Sequence, residues 1–260
     1  VTDLTNKTAI VLGAAGRDNM GQHIARALAG AGAHVVAAGR RREPLEHLAT
    51  EIGGTAALCD ISIKAEVDAL FDAHAPVDIA VNATGWGLLK PIDQVAEDDL
   101  DRIVALQFKG VHHMLAACVR TMTRGGSIVQ ISSATTQALI DDHAAYIGTK
   151  AGSEALIRCV ANQYGPQGIR ANIVSPGLTA SPMTAGAMAT PGLEAAFAAR
   201  YPLGRIGTSE DIAFAVLWLC DDRCFVTGEN LQVNGGLTLR GNPRPDEVAA
   251  SVQAAMTVAA

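Results

Sequence analysis

Three side chains in the middle of the 260-residue chain have the types and spacing needed to move a proton. A predicted strand ends in Ile131-Ser132-Ser133, Tyr146 follows thirteen residues after Ser133, and Lys150 lies four beyond Tyr146. On a helix, positions i and i+4 share one face, so the phenol and the ammonium stand one turn apart. A free phenol ionises near ~10, too high for ready proton exchange at neutral pH. A neighbouring cation favours the phenolate and lowers that value, which makes the pair a usable general acid–base. Ser133, at the strand's C-terminal edge, is placed to hydrogen-bond a substrate oxygen. The other two tyrosines, Tyr164 and Tyr201, have no lysine at the same offset.

A second constellation is built to hold phosphate. The first apolar run, Thr8–Leu12, enters Gly13-Ala14-Ala15-Gly16-Arg17-Asp18-Asn19-Met20-Gly21 and then a helical pattern. Glycine at the strand end permits the tight turn and the close approach of a pyrophosphate, and the helix N-terminus offers free N–H groups. Such turns also occur without a ligand, but in the first strand–helix unit of an alternating chain the turn reads as a dinucleotide site. After the second strand, where NAD-binding chains carry an acid for the ribose, the chain reads Gly39-Arg40-Arg41-Arg42 with no carboxylate. Guanidinium groups grip a 2′-phosphate with forked hydrogen bonds, and Arg17 is within reach of the same phosphate. This charge chemistry favours NADP(H) over NAD(H).

The elements that must position these residues are visible as β-branched runs alternating with amphipathic stretches. Strands are expected at Thr8–Leu12, His34–Gly39, Thr55–Asp60, Asp78–Asn82, Ser127–Ser132, Arg170–Val174 and Leu231–Val233. All but the second and the last read as continuous apolar runs, the pattern of a parallel sheet covered on both faces. Helices are expected at Met20–Ala31, Glu43–Ile52, Ile63–Ala75, Asp99–Thr123, Tyr146–Gln163 and Ser209–Leu219. The alternation predicts right-handed crossovers and a doubly wound α/β sheet in a single domain over residues 1–240. Residues 241–260 form an extension: a breaker cluster, Gly241–Pro245, then an Ala/Val-rich stretch. It reads as a frayed tail ahead of a segment packed on the pocket or on a neighbouring subunit.

Composition narrows the function classes. Hydrophobic residues at 49% against 18% charged, with a mean hydropathy of +0.21, exclude a disordered chain. A net charge of −6 argues against a nucleic-acid surface. The longest apolar run, the nine residues Ile212–Cys220, falls short of the ~20 a membrane span needs, and the polar start Val1–Thr8 is no signal peptide. Five scattered cysteines without a Cys-x-x-Cys pair or a nearby histidine cluster predict no metal site and reduced thiols in a cytoplasmic protein.

Taken together, these motifs resemble the classical short-chain dehydrogenase/reductase family over about residues 5–238. The resemblance also rests on Asp60, on Asn82-Ala83-Thr84-Gly85, on Ser175-Pro176-Gly177, and on Thr227-Gly228 with Asn234-Gly235-Gly236. It implies a Rossmann fold with a seven-stranded parallel sheet. It implies Tyr146 as the acid–base, Lys150 on the nicotinamide ribose, and Ser133 on the carbonyl. Gly13, Gly16, Met20 and Gly21 would line the phosphates, with Arg17, Arg40 and Arg41 at the 2′-phosphate. Asp60, Ile61, Asn82 and Ala83 would line the adenine and ribose, and Pro176, Gly177, Thr179 and Ser181 the nicotinamide or phosphates. A homotetramer is implied, its subunits pairing through the helices Asp99–Thr123 and Tyr146–Gln163.

Three departures from the family pattern stand out. The span from Gly13 to Gly21 is two residues longer than usual, with Asn19 where a second glycine is expected. Thr84 stands in the turn after the fourth strand and Trp86 follows it. Gln107 replaces the asparagine that holds a water in the family's proton relay; its amide has the same groups on a longer stem. The expected pocket is closed by Trp86, Gln137–His143 and the Ala/Met-rich stretch Pro182–Ala199. Trp86, Ser133, His143 and Met183 would touch a fairly apolar substrate. The function expected is NADP(H)-dependent interconversion of a ketone and a secondary alcohol. The alternatives are an NAD(H)-dependent diol or hydroxy-compound dehydrogenase and a non-catalytic NADP sensor.

Overall fold

The protein is described by a computed structural model covering residues 2–182 and 184–259. Strand β1 (Thr8–Leu12) splits its side chains between two cores. Ala9 and Val11 face helices α1 (Met20–Gly30) and α9 (Ser209–Cys220), while Ile10 and Leu12 face α3 (Lys64–Ala73), α5 (Gly110–Thr121) and α6 (Ala144–Tyr164). Apolar residues on both sides of one strand demand cover on both sides, and that requirement sets the three-layer architecture. The remaining strands of the sheet are β2 (His34–Gly39), β3 (Thr55–Leu58), β4 (Ile79–Asn82), β5 (Gly126–Ile131), β6 (Ile169–Pro176) and β9 (Asn230–Val233). All seven run parallel in the order β3-β2-β1-β4-β5-β6-β9. The order reverses between β1 and β4, and a crevice opens at the strand ends there. Two short strands, β7 (Thr179–Ala180) and β8 (Gly207–Thr208), form a separate ribbon.

Three expectations need correction. The run Thr55–Asp60 is an edge strand, half-buried and ending at Leu58 with that side chain 47% exposed, because β3 has a neighbour on one side only. The single helix expected over Asp99–Thr123 is α4 (Glu97–Val104) and α5 joined by a π-turn at Ala105–Lys109. A π-turn accommodates one extra residue within a helix and often marks a functional site; here it carries Gln107. Beyond α7 (Ala185–Met188), α8 (Leu193–Ala198) and α10 (Leu237–Arg240), the stretch read as a frayed tail is a fifteen-residue helix, α11 (Pro245–Ala259). It packs on α8, with Ser251 Oγ donating to the Gly192 carbonyl (2.8 Å) and Glu247 paired with Arg200. Met183, expected at the substrate, lies outside the described residues.

Candidate active site

The glycine loop is fixed at both ends by backbone. Gly13 N and Ala14 N both donate to the Ala38 carbonyl of β2 (2.9 and 3.1 Å). Gly13 has φ +95°, and a Cβ there would sit 2.7 Å from the Ala83 carbonyl carbon. Gly21, in the first turn of α1, would put a Cβ 2.6 Å from the Gly13 carbonyl oxygen. Both sites therefore exclude any side chain. Asn19 supplies what the missing glycine does not. Its Oδ1 caps α1 by accepting from Gln22 N (3.0 Å), and its Nδ2 crosses the loop to donate to the Gly13 carbonyl (2.8 Å). The longer span bulges outward at Arg17-Asp18, where Asp18 takes φ +52°.

A cavity of about 510 Å³ runs from this loop along the ends of β1, β2 and β3, lined by Gly13, Gly16, Arg40, Arg41, Asp60 and Ile61 among others. Asp60 accepts from Ser62 N and Oγ (3.0 and 2.7 Å) and faces Arg40 at 3.6 Å. Arg17 is turned to Glu43 in an exposed ion pair, at the rim of a second hollow shared with Arg41, Arg42 and Pro182. Arg41, the N-cap residue of α2 (Arg42–Ile52), has no hydrogen bond or ion pair among the described residues. Asn82, expected on the cofactor, does not line these cavities. It is wholly buried, donating to Gln130 Oε1 (2.9 Å) and accepting from Thr84 N and Oγ1 (3.0 and 2.8 Å). It shapes the turn at Ala83–Gly85, which forms a wall common to this cavity and the next.

The next cavity, about 190 Å³, brings together Met20, Trp86, Ser133, Tyr146, Lys150, Pro176, Gly177, Thr179 and Ser181. The turn after β5 delivers Ser133 and α6 delivers Tyr146 and Lys150, so the spacing in sequence becomes one facing group in space. Lys150 is buried, and its Nζ donates to the Ile131 carbonyl (2.9 Å). Burial drives this ammonium down to about 8, opposed by the Glu154 carboxylate one turn on. The expected fall in the Tyr146 value is not what this geometry produces. Burial pushes that phenol above its ordinary range, and a hydrogen bond with Ser133 pulls the other way. The ammonium, turned to the strand's carbonyl and 5.7 Å from the Tyr146 ring centroid, does not outweigh that burial.

Gln107 is buried beside them. Its Oε1 accepts from Trp86 N (3.0 Å) and its Nε2 donates to Thr149 Oγ1 (2.9 Å). A Cβ on Gly85 would lie 3.5 Å from that oxygen and 3.7 Å from Lys150 Nζ. The side chain thus ties the π-turn, the Trp86 backbone and α6 together next to the ammonium. Trp86 carries the Arg102 guanidinium 4.2 Å from its ring centroid, which holds the indole as a wall.

His143 does not line the cavity but stacks on Tyr146, with centroids 4.2 Å apart and planes at 27°. Its ring bonds the Leu88 backbone, its Nδ1 is buried without a partner, and burial lowers its pKa. Protonating it would place a charge where none is solvated. Because the folded value lies below the unfolded one, stability falls as pH drops through ~6.5 toward the lowered value and levels off below it. NMR titration of the His143 ring is expected to give a midpoint below that of free histidine. A midpoint at or above it would contradict the burial.

Sequence reasoning missed Thr149, Glu154 and Asn242. The Asn242 side chain donates to the Ala138 carbonyl (2.5 Å), so the C-terminal extension reaches the loop that follows Ser133. No sequence signal marked it, since that pairing spans about a hundred residues. No helix among the described residues is long and apolar enough to cross a membrane, and no cluster that could hold a metal ion occurs among them.

A seven-stranded parallel sheet with a glycine loop at its switch point and Ser133, Tyr146 and Lys150 in one cavity defines a nucleotide-dependent oxidoreductase scaffold. The family model described as enoyl-(acyl carrier protein) reductase matches residues 13–238. The chain belongs to the classical short-chain dehydrogenase/reductase family, whose members are oxidoreductases of alcohols and ketones that use a nicotinamide cofactor. It is similar to D-erythrulose reductase from Gallus gallus, 32% identical over 235 residues that cover 88% of this chain and 95% of that one. It is 34% identical to 3beta-hydroxysteroid dehydrogenase 1 from Eggerthella lenta, covering 91% and 95%. Among solved structures, a gluconate 5-dehydrogenase from Burkholderia cenocepacia in complex with NADP and tartrate superposes with a TM-score of 0.86. That match has 27% identity and covers 91% of this chain and 97% of the other.

Proposed function

We propose that this chain is an NADP(H)-dependent reductase of small ketones, hydroxylated ones above all, acting in the cytoplasm as a homotetramer. The observation that carries the reading is the convergence of Ser133, Tyr146 and Lys150 on a cavity contiguous with the glycine-loop cleft. The cleft fits a dinucleotide: the glycine loop lines it at the N-terminus of α1, and cationic side chains gather where the second strand ends. When bound, the cofactor supplies the hydride.

The protein's own part is proton and charge. Ser133 donates a hydrogen bond to the carbonyl oxygen and orients it. Tyr146 Oη gives its proton to the same oxygen as the carbon becomes tetrahedral. Lys150 stabilises the phenolate left behind, and Gln107 and Asn82 hold the walls around them. A phenol held above its ordinary value keeps its proton at neutral pH, which suits the direction of reduction.

Substrate size follows from the walls. A cavity of about 190 Å³ suits a short carbon chain better than a fused-ring steroid. The kinship with D-erythrulose reductase supports a ketose, and that revises the expectation of an apolar substrate toward a polar one. Rates with NADPH and NADH on four- to six-carbon ketoses, aryl ketones and a steroid ketone test the reading. NADPH with a short ketose is expected to lead, and turnover with the steroid alone would overturn it.

Cofactor choice rests on Arg41, whose guanidinium has no partner among the described residues. Losing a charge-assisted hydrogen bond to phosphate costs about 1.5–3 kcal/mol, so Arg41→Ala should raise the KM for NADPH about tenfold or more and leave NADH unchanged. An equal change for both cofactors would remove the 2′-phosphate from this position.

A further inference from the structure

The active-site description leaves one buried acid without a role. Glu154 lies on α6, one helical turn beyond Lys150, and is only 6% exposed. Its Oε1 accepts from Ser132 Oγ at 2.6 Å and from Thr136 Oγ1 at 3.0 Å. Those two hydroxyls flank Ser133 in the chain, one on each side. Arg158 stands at 4.0 Å from the other oxygen, half exposed to solvent. A buried carboxylate is costly unless hydrogen-bonded, so this acid is retained against a penalty that a leucine would not incur.

The residues around Ser133 show what such an anchor would do. Ser133 begins a single 3-10 turn, Ala134–Thr136, and its Oγ also accepts from Thr135 N and Oγ1 (3.2 and 2.9 Å). The turn has no strand or long helix of its own to fix it. Tyr146 and Lys150, by contrast, ride on the 21-residue helix α6. The distance between Ser133 and Tyr146 therefore depends on how the turn is tied to that helix.

We propose that Glu154 is a positioning residue, which fastens the hydroxyls on both sides of Ser133 to the helix carrying Tyr146 and Lys150 and so sets the donor-to-donor geometry at the substrate oxygen. It acts through Ser133 and touches no substrate. This inference rests on the proposed reaction, and its test is built to separate the two.

The test is a double-mutant cycle on kcat with NADPH and erythrulose, using Glu154→Gln, Glu154→Ala, Ser133→Ala and the combined Ser133→Ala/Glu154→Ala. Misplacing a reacting group by about an ångström costs about 100-fold, so Glu154→Ala should lower kcat about that much while the KM for NADPH stays put. Glu154→Gln keeps one accepting oxygen and should lose about tenfold. In the Ser133→Ala background, removing Glu154 should cost almost nothing more, because residues acting as one unit are non-additive. Full additivity, or a kcat for Glu154→Ala near wild type, would overturn the proposal. If Glu154→Ala fails to fold, the Gln variant alone and in the Ser133→Ala background decides in the same way. If wild type turns over none of the panel, the reaction assignment fails. A crystal structure of Glu154→Gln then judges the anchor: Ser133 displaced from Tyr146 supports it, Ser133 unmoved refutes it.

Discussion

Tyr146→Phe should reduce turnover by about 10²–10⁴-fold, the range removed with a general acid–base, while cofactor affinity is unchanged. Phenylalanine fills the same volume and preserves the stack on His143, so the cavity walls stay in place. Only the proton donor and the hydrogen bond with Ser133 disappear. The wild-type pH dependence follows from the raised phenol. Reduction needs the protonated form and should hold up through neutral pH, whereas oxidation needs the phenolate and should climb with rising pH. In the phenylalanine variant both trends should flatten. Steady-state rates in both directions, with cofactor affinity from fluorescence titration, check this. A variant retaining a tenth or more of the activity would assign the proton to another group, at odds with the effect size expected for acid–base catalysis.

Lys150→Met should abolish measurable turnover and yet leave the fold at least as stable. The functional loss has two sources: the phenolate formed at Tyr146 loses its counter-charge, and the cleft loses its buried donor. Stability moves the other way because the ammonium is held in a low-dielectric site that lowers it to about 8. Removing one member of a buried pair is costly when it strands the other charge, but Glu154 keeps the Ser132 and Thr136 hydroxyls and Arg158. The carbonyl of Ile131 is not orphaned, since Gln130 Nε2 also donates to it (2.8 Å). Linkage adds a signature. Between about 8 and the unfolded value near ~10.4, the unfolded chain binds more protons at this residue, so wild-type stability gains with pH there. The methionine variant should lack that gain. Thermal melts of both proteins at neutral and alkaline pH measure it, and a variant much less stable than wild type would show that the ammonium holds the site together.

Strand β1 ends where its apolar run ends, because in a parallel sheet burial on both faces is written directly into residue type. The acid–base pair was legible because four residues on a helix is a fixed distance. Glu154 was not legible, although it lies at the same spacing beyond Lys150. Its partners Ser132 and Thr136 become neighbours only when β5 and α6 pack, and a carboxylate on a helix otherwise reads as solvated surface. Gln107 was found by position but not by action. A π-turn has no residue signature, and what the amide holds is the Trp86 backbone, twenty-one residues away. The family resemblance puts Asn82 in the cleft, yet its amide is engaged inside the protein with Gln130 and Thr84. The same physics explains the edge strand: Thr55–Leu58 has the composition of an interior strand, and only the sheet order reveals that one side is open.

The final helix carries a consequence for the elements it joins. It is bolted to Gly192 and Arg200 beside α8, and Asn242 just before it reaches Ala138 in the loop after Ser133. The segment around α8 and the loop after Ser133 are thus strapped by the same twenty residues, and loosening that strap would free both attachments at once.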